Sequence, residues 1–219
     1  MSTSAGIGMT SQRTRQRMVD RLRKGGIKSE IVLKAMGDVP RHSFVEEALS
    51  SRAYEDSSLP IGFGQTISQP FSVARICELA LNAGNLIRVL DVGTGCGYQA
   101  AVLSAIAQQV YSIERIAPLV AKTRIRLRKL NYRNISLRNA DGSEDFSSIA
   151  PLDAIVLAAG TGDIPVYLLK FLRSGGRMIL PLGSKRQVLT EIVKTDDSYE
   201  IIEHEEVSFV PLLSGVSRG

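Results

Sequence analysis

A regular alternation of short apolar segments with helix-like segments limits the fold of this chain more than any other feature of its sequence. The apolar segments are rich in Val, Ile and Leu and have the length of buried β-strands. They are residues 87–92, 110–114, 135–140, 152–159 and 177–182. Helix-like segments, such as 98–108 and 164–172, lie between them. Because strands that alternate with helices form a parallel sheet covered on both faces, we predict a doubly wound α/β fold.

The two ends of the chain depart from this alternation. Residues 187–195 and 199–212 are two strand-like segments joined by a short polar turn, which predicts an antiparallel hairpin and a mostly parallel sheet of seven strands. Residues 11–24 and 29–37 have helical periodicity. We therefore expect one compact unit. Its parts are a helical N-terminal extension with a covering loop, residues 1–84, and a sheet-containing core, residues 85–219.

A glycine-rich loop follows the first strand of the predicted sheet. Gly93, Gly95 and Gly97 lie in VLDVGTGCGYQ, where glycine allows a ligand to approach the backbone and where a helix begins. The glycines follow a G-x-G-x-G pattern, and Tyr98 takes the place of the third glycine of the dinucleotide fingerprint. The loop predicts a nucleoside site, although a glycine loop alone can also be a tight turn.

Acidic residues end the neighbouring strands. Glu114 closes the second strand, 23 residues after Asp91, and a carboxylate there can accept hydrogen bonds from both ribose hydroxyls. Its alternative role is a surface salt bridge. Asp141 and Gly142 follow the third strand and fit either an adenine contact or an ordinary turn. We expect all three acids to line one crevice, which favours a cationic nucleoside over a polyphosphate.

Residues 59–70, LPIGFGQTISQP, form an unusual loop. Pro60 and Pro70 remove backbone donors, and the glycines disfavour a helix, yet the segment is too apolar for a flexible linker. Thr66 and Ser68 place hydroxyl groups just before a helix that can begin at Pro70. The pattern predicts an ordered loop at a binding site, with a turn-stabilising hydroxyl as the alternative for Ser68.

Several of these segments resemble known motifs. VLDVGTGCGYQ, VYSIER, ADG, APLDAIV and GGRMILPLG resemble the successive motifs of class I S-adenosylmethionine-dependent methyltransferases, which implies their Rossmann-like fold. VPRHSFV, YEDSSLPIGFGQTISQP and FVPL resemble one family of that class, the protein-L-isoaspartate O-methyltransferases. The resemblance spans roughly Val39 to Leu212, and its LPIG-GQTISQP loop is highly specific to that family. Ala140 and Cys96 depart from residues that the family commonly has there.

The resemblance implies an activity and a set of site residues. The activity is methyl transfer from S-adenosylmethionine, which leaves S-adenosylhomocysteine, to the α-carboxylate of L-isoaspartyl residues in damaged proteins, as the start of their repair. Ser68 is the implied active-site residue. The implied cofactor residues are Thr66, Ile67, Ser68, Asp91, Gly93, Thr94, Gly95, Gly97, Glu114, Asp141 and Gly142. The implied substrate residues are Thr66, Ile67, Ser68, Val210 and Pro211, and no metal is expected.

Composition and charge bear on partners and location. The chain is 44% hydrophobic and 22% charged, as in globular proteins. Residues 1–34 hold eight Lys/Arg against two acids, and residues 122–138 hold seven and no acid. These runs could attract nucleic acid but fit solvated helix faces better, so no nucleic-acid partner is expected. Cys77 and Cys96 are not spaced for a metal or a disulfide framework. With no apolar leader, we expect a cytoplasmic location and no membrane partner. We also expect a monomer.

Three other functions agree less well with the residues. A methyltransferase acting on amino groups of nucleic acid often carries an Asn/Asp-Pro-Pro-aromatic box after the fourth strand, where this chain has LAAG. A serine hydrolase needs a G-x-S-x-G elbow, which does not occur. A cofactor-binding module without catalysis is disfavoured by the intact loop that carries Ser68.

Overall fold

The computed structural model describes residues 10–218. The helices are α1 (Gln12–Lys24), α2 (Glu30–Asp38), α3 (Pro70–Ala80), α4 (Tyr98–Ser104), α5 (Ala117–Lys129) and α6 (Val166–Leu169). The strands are β1 (Leu59–Gly62), β2 (Gln65–Ile67), β3 (Leu86–Val92), β4 (Ala107–Glu114), β5 (Ile135–Asn139), β6 (Leu152–Leu157), β7 (Leu172–Leu182), β8 (Gln187–Lys194) and β9 (Tyr199–Val207). No helix within 10–218 is both long and apolar enough to cross a membrane.

The main sheet has the strand order β5-β4-β3-β6-β7-β8-β9. The five strands from β5 to β7 are parallel, while β8 and β9 are antiparallel to their neighbours. The chain moves outward from β3 to β5 and then returns to β6 on the other side of β3. This reversal creates a crevice at the carboxyl ends of β3 and β6, where doubly wound folds bind ligands. The predicted fold, a mostly parallel seven-stranded sheet with a C-terminal hairpin, is confirmed.

Both faces of the sheet are covered. Val89 and Ala154 belong to a buried cluster shared with α1 to α4, whereas their neighbours Leu90 and Ile155 belong to a second cluster around Phe146. Adjacent residues of a strand point to opposite faces, so one apolar strand contributes to both clusters. The alternation read from the sequence therefore corresponds to a sheet with two buried faces.

Because of strand pairing, the boundary between α4 and β4 lies earlier in the chain than the sequence predicts. The helix predicted over 98–108 ends at Ser104, and β4 begins at Ala107. Ala107 pairs with Leu86 of β3, so residues that could extend a helix join the sheet instead. Tertiary pairing thus overrides the local helical preference.

The fifth strand of the sequence prediction also begins earlier than expected. The helix predicted over 164–172 is the single turn of α6, and β7 begins at Leu172 rather than at 177. Leu172 pairs with Leu152 of β6, and the register shifts before the pairing continues at Arg177. The irregular start of β7 explains why its period was not visible in the sequence.

The last segment does not extend the hairpin as predicted. The strand expected over 199–212 ends at Val207. The chain then crosses to Gly160, whose amide donates to the Val210 carbonyl (2.8 Å) and whose carbonyl accepts from the Leu212 amide (2.8 Å). This crossing carries the end of the chain to the crevice beside β6.

Candidate active site

A cavity lies at the carboxyl ends of the central strands. Three predicted groups of residues meet in its lining: the loop 65–68, the motifs that follow β3, β4 and β5, and the C-terminal segment 210–213. The predicted site residues in the lining are Thr66, Ile67, Ser68, Gly93, Thr94, Gly95, Glu114, Asp141, Gly142, Val210 and Pro211. Asp91 and Gly97 are outside it.

The glycine loop folds over the end of β4. The amides of Gly93 and Thr94 both donate to the Ile113 carbonyl, at 2.9 and 3.0 Å. Gly93 has φ +96°, a left-handed conformation that glycine adopts without strain. A Cβ atom on Gly95 would lie 3.2 Å from Ile61 Cδ1 of β1. β1 and β2 pair as an antiparallel hairpin, which we call the covering hairpin. The covering hairpin therefore packs directly on the loop that the sequence assigns to the cofactor.

Glu114 is 6% exposed and fixes this loop. Its Oε2 accepts a hydrogen bond from the Gly95 amide (2.9 Å), and its Oε1 accepts one from the Ile116 amide (2.8 Å). Each carboxylate oxygen has a second lone pair, so both can still accept a hydroxyl hydrogen bond from a ligand. The carboxylate is therefore held by the backbone and available to a ribose at the same time.

Asp91 requires a correction, because it does not line the crevice as expected. It is fully buried, where Gln99 Nε2 donates to Oδ1 (2.9 Å) and the Ser112 hydroxyl to Oδ2 (2.6 Å). Ser112 also shares a hydrogen bond with Thr94 (2.6 Å). Burial, and to a smaller extent the charge of Glu114, raise the pKa of Asp91 to about 6. Asp91 thus supports the glycine loop from below.

Gly97 is the second predicted cofactor residue that lies outside the lining. It has φ +91° at the start of α4. A Cβ atom on it would lie 2.8 Å from Thr123 Cγ2 of α5, while the Thr123 hydroxyl donates to the Gly95 carbonyl (2.7 Å). Gly97 therefore allows α4 to pack against α5, and its effect on a ligand is indirect.

Asp141 holds two segments in place. Its carboxylate accepts hydrogen bonds from the Ser143 amide (3.0 Å), the Ser143 hydroxyl and the Gly215 amide. These hydrogen bonds, above all that of the Ser143 hydroxyl, lower the pKa of Asp141. Arg115 Nε donates to the carbonyl of the same Gly215 (2.9 Å). The C-terminal segment is consequently fastened to the part of the lining assigned to adenine, beside the buried Ala140.

Gln187 of β8 fixes the start of the C-terminal segment. Its Oε1 accepts a hydrogen bond from the Phe209 amide (2.7 Å), and its Nε2 donates to the Phe209 carbonyl (3.2 Å). The side chain thereby replaces a backbone partner just before the crossing to Gly160. This arrangement brings Val210 and Pro211 into the lining that contains Ser68.

Ser68 has an unengaged side chain. Its hydroxyl forms no hydrogen bond with any residue of the range 10–218. A hydroxyl that stabilised a turn would bond to the nearby backbone, so that alternative for Ser68 has no support in the structure. Both histidines of the described chain, His42 and His204, lie outside the lining.

Part of the lining was not predicted from the sequence. The additional residues include Gln65, Val73, Tyr98, Gln99, Ile113, Arg115, Ile116, Ala158, Ala159, Leu212 and Leu213. Ala158 and Ala159 directly follow β6, beside the reversal of strand order. Because doubly wound folds bind ligands at such a reversal, these two residues could have been predicted. Cys96 also lines the cavity as a buried thiol whose pKa is raised by burial. Within residues 10–218, no three His, Cys, Asp or Glu residues are grouped to hold a metal ion.

Comparisons with known proteins agree with this geometry. The family model described as protein-L-isoaspartate(D-aspartate) O-methyltransferase matches residues 12–217. The protein-L-isoaspartate O-methyltransferase of Methylobacillus flagellatus is 55% identical over 223 residues, covering 99% of this chain and 100% of the relative. That of Nitrosomonas eutropha is 55% identical over 213 residues, covering 96% of each chain.

Solved structures agree as well. One protein-L-isoaspartate O-methyltransferase has a TM-score of 0.83 at 27% identity, covering 92% of this chain and 67% of the other. A Plasmodium falciparum protein, solved in complex with S-adenosyl-L-homocysteine, has a TM-score of 0.76 at 23% identity, covering 91% of this chain and 98% of the other. At this identity the likeness shows the fold alone. Because the family model spans nearly the whole chain and relatives share more than half of its residues, this chain belongs to the protein-L-isoaspartate(D-aspartate) O-methyltransferase family.

Proposed function

We propose that this cavity transfers a methyl group from S-adenosylmethionine to the free α-carboxylate of an L-isoaspartyl residue, and that Ser68 contacts the acceptor. Methylation of isoaspartyl residues for repair is the activity of the family to which the chain belongs. The observation that carries the residue-level proposal is the Ser68 hydroxyl, which lies in the lining and has no partner within residues 10–218.

The lining fits S-adenosylmethionine. The Glu114 carboxylate is positioned to receive ribose hydroxyls, and Gly93 and Gly95 line the same cavity. At the place expected for adenine, Asp141 and Gly142 present their backbone groups, and Asp141 also presents its carboxylate. The negative charges of Glu114 and Asp141 favour a cationic ligand. When bound, the cofactor supplies an electrophilic methyl group on a sulfonium ion.

Positioning is the main task of the protein in this reaction. A carboxylic acid with a pKa of about 4 is ionised at neutral pH, so the acceptor needs no general base. The hydroxyl groups of Ser68 and Thr66 can donate hydrogen bonds that orient the acceptor oxygen. The apolar side chains of Ile67, Val73 and Ile113 exclude water that would otherwise solvate the carboxylate. Orientation and exclusion of water are the sources of catalysis that these residues can provide.

The same proposal includes the organisation of the chain and its surroundings. Residues 1–84 would serve as the extension that carries the covering loop, and residues 85–219 as the methyltransferase core. The cytoplasm is supported by two buried free thiols, Cys77 and Cys96, because such thiols persist in a reducing compartment. The partners are polypeptides that contain isoaspartyl residues.

The test compares two peptides that differ only in the linkage of one aspartyl residue, with RNA as a third acceptor. An isoaspartyl linkage adds a methylene to the backbone and moves the free carboxylate to another branch. A displacement of about 1 Å can lower a rate about a hundredfold, so discrimination should be steep. We expect base-labile methyl ester on the isoaspartyl peptide alone. Equal labelling of both peptides, or labelling of the RNA only, would contradict the proposal.

The role of Ser68 is tested by Ser68→Ala, with Ser58→Ala as the control, since Ser58 lies near the loop but outside the lining. Loss of a donor that acts in the transition state should lower kcat by about ten- to a thousandfold. Affinity for S-adenosylhomocysteine should not change. Unchanged turnover in Ser68→Ala, or a covalent adduct on Ser68, would refute the assigned role.

A further inference from the structure

Basic side chains of the N-terminal extension hold the segment that leads into the covering hairpin. We call residues 53–58 the loop base. Arg41 Nε donates to the Ala53 carbonyl (2.7 Å) and Arg41 Nη2 to the Ser57 carbonyl (3.4 Å). Arg21 donates to the Tyr54 carbonyl. The loop base is therefore fixed mainly through its carbonyl groups.

Arg41 is the more unusual of these two arginines, because its charged group is buried. It is 0% exposed, and its guanidinium forms no ion pair within residues 10–218. Its Nη1 has no hydrogen-bond partner, and burial lowers its pKa. Burying a cation without a carboxylate is unfavourable, and an apolar residue of similar size would often be at least as stabilising. Stability alone therefore does not explain an arginine at this position.

The loop base connects Arg41 to the loop that carries Ser68. The Asp56 carboxylate accepts a hydrogen bond from the Phe71 amide (2.9 Å), just after that loop. Leu59, which follows the loop base, pairs with Ile67 of β2. One end of the loop that carries Ser68 is thus hydrogen-bonded to the loop base, and its other end pairs with the strand that directly follows the loop base.

The other side of Arg41 contacts a residue that lines the cavity. Its guanidinium carbon lies 4.7 Å from the centre of the Tyr98 ring, within the range of a cation–π contact. Tyr98 is the first residue of α4, directly after the glycine loop, and lines the cavity. Arg41 consequently joins the substrate loop to the wall on which the cofactor would lie.

We propose that Arg41 is a positioning residue for methyl transfer, which sets the placement of Ser68 relative to the cofactor wall. A lysine keeps the charge, but its single ammonium group lacks the planar fork that bonds two carbonyls and stacks on a ring. The proposal rests on the proposed function, because placement of Ser68 matters only if Ser68 orients the acceptor.

The test is Arg41→Lys, with Arg52→Lys as the matched control. Arg52 forms an exposed ion pair with Glu55 of the loop base, which a lysine can also form, and an exposed pair of this kind contributes little. Since displacement of about 1 Å can lower a rate about a hundredfold, we expect kcat on an isoaspartyl peptide to fall about ten- to a hundredfold in Arg41→Lys. The Kd for S-adenosylhomocysteine, measured by calorimetry, should change less than about threefold, and Arg52→Lys should match the wild type.

A double-mutant cycle with Ser68→Ala separates positioning from general stability. If Arg41 acts through Ser68, Arg41→Lys should lower kcat much less in the Ser68→Ala background. Wild-type kcat in Arg41→Lys, equal losses in both backgrounds, or failure of Arg41→Lys to fold would each overturn the proposal. Absence of methylation by the wild-type protein would instead refute the proposed function, so the two failures are distinguishable.

Discussion

The Glu114 carboxylate bonds to the amides of Gly95 and Ile116 and also borders the cavity. Removal of this carboxylate therefore releases the glycine loop and also removes any contact with a ribose. Glu114 could be predicted from the sequence because the end of a strand is a local signal. The two amides that hold its carboxylate depend on how the loop folds back. Asp91, three positions before Thr94, is also an acidic residue near the end of a strand and was predicted to line the crevice in the same way. In the structure it lies beneath the loop.

Glu114→Ala should weaken binding of S-adenosylhomocysteine. Loss of charge-assisted hydrogen bonds corresponds to about 1.5–3 kcal/mol, or about a ten- to hundredfold rise in Kd. Calorimetry measures it, with Glu144→Ala as the control because Glu144 is in an exposed ion pair with Arg138. Wild-type affinity in a folded Glu114→Ala protein would remove Glu114 from the cofactor site.

Asp91 should make stability depend on pH in a defined direction. Its pKa is about 6 in the folded protein, above the usual value for an aspartate. Between these values the folded protein binds more protons than the unfolded chain, so the stability that Asp91 contributes falls as pH rises. Relative to Asp91→Asn, the wild type should gain on the order of 1 kcal/mol between about pH 7.5 and about pH 5. Urea unfolding at both values measures the difference, and a gain toward high pH would contradict it.

At the scale of elements, α5 supports the glycine loop from outside. Thr123 binds the Gly95 carbonyl, and Arg126 Nη1 donates to the Cys96 carbonyl (3.1 Å). Part of the basic run in the sequence is therefore structural. The sequence predicted that α4 and α5 exist but not how closely they pack, since the contact at Gly97 depends on the arrangement of two helices across the loop.

Gly97→Ala should destabilise the protein. A left-handed alanine costs about 1–2 kcal/mol, and overlap with Thr123 Cγ2 adds about 1–3 kcal/mol. Thr123→Ser removes that methyl group and keeps the hydroxyl that binds Gly95. In the Thr123→Ser background, urea unfolding should show a smaller loss for Gly97→Ala. The same loss in both backgrounds would show that packing between α4 and α5 is not the reason for this glycine.

Element boundaries were the least predictable part of the fold. Ala107 and Leu172 enter strands because they pair with Leu86 and Leu152, which lie about twenty residues away in sequence. Composition near these residues allows either a helix or a strand. Only the assembled sheet decides between them.

At the scale of the whole molecule, the cavity joins segments from residue 65 to residue 213. Its glycine and acidic residues could be predicted because parallel strands bring their ends to one edge. Val210 and Pro211 were found only through resemblance to a family, since no periodicity marks them. The contacts of Arg41 with Ala53 and Ser57 could not be predicted, because they depend on the path of the chain between the extension and the hairpin.

The hydrogen bonds of Asp141 should also slow one form of chemical damage to this enzyme. Among dipeptides that begin with aspartate, the one followed by glycine cyclises most readily to a succinimide, which opens to isoaspartate. Asp141-Gly142 is such a pair. Cyclisation requires the protonated carboxyl group to reach the next amide. The bonds from Ser143 and Gly215 restrain that group, and its lowered pKa reduces the fraction of it that is protonated. On storage at mildly acidic pH, mass spectrometry should show slower isoaspartate formation at residue 141 in the folded enzyme than in a peptide of the same sequence. Equal rates would mean that the fold gives the repair enzyme no protection from the damage it repairs.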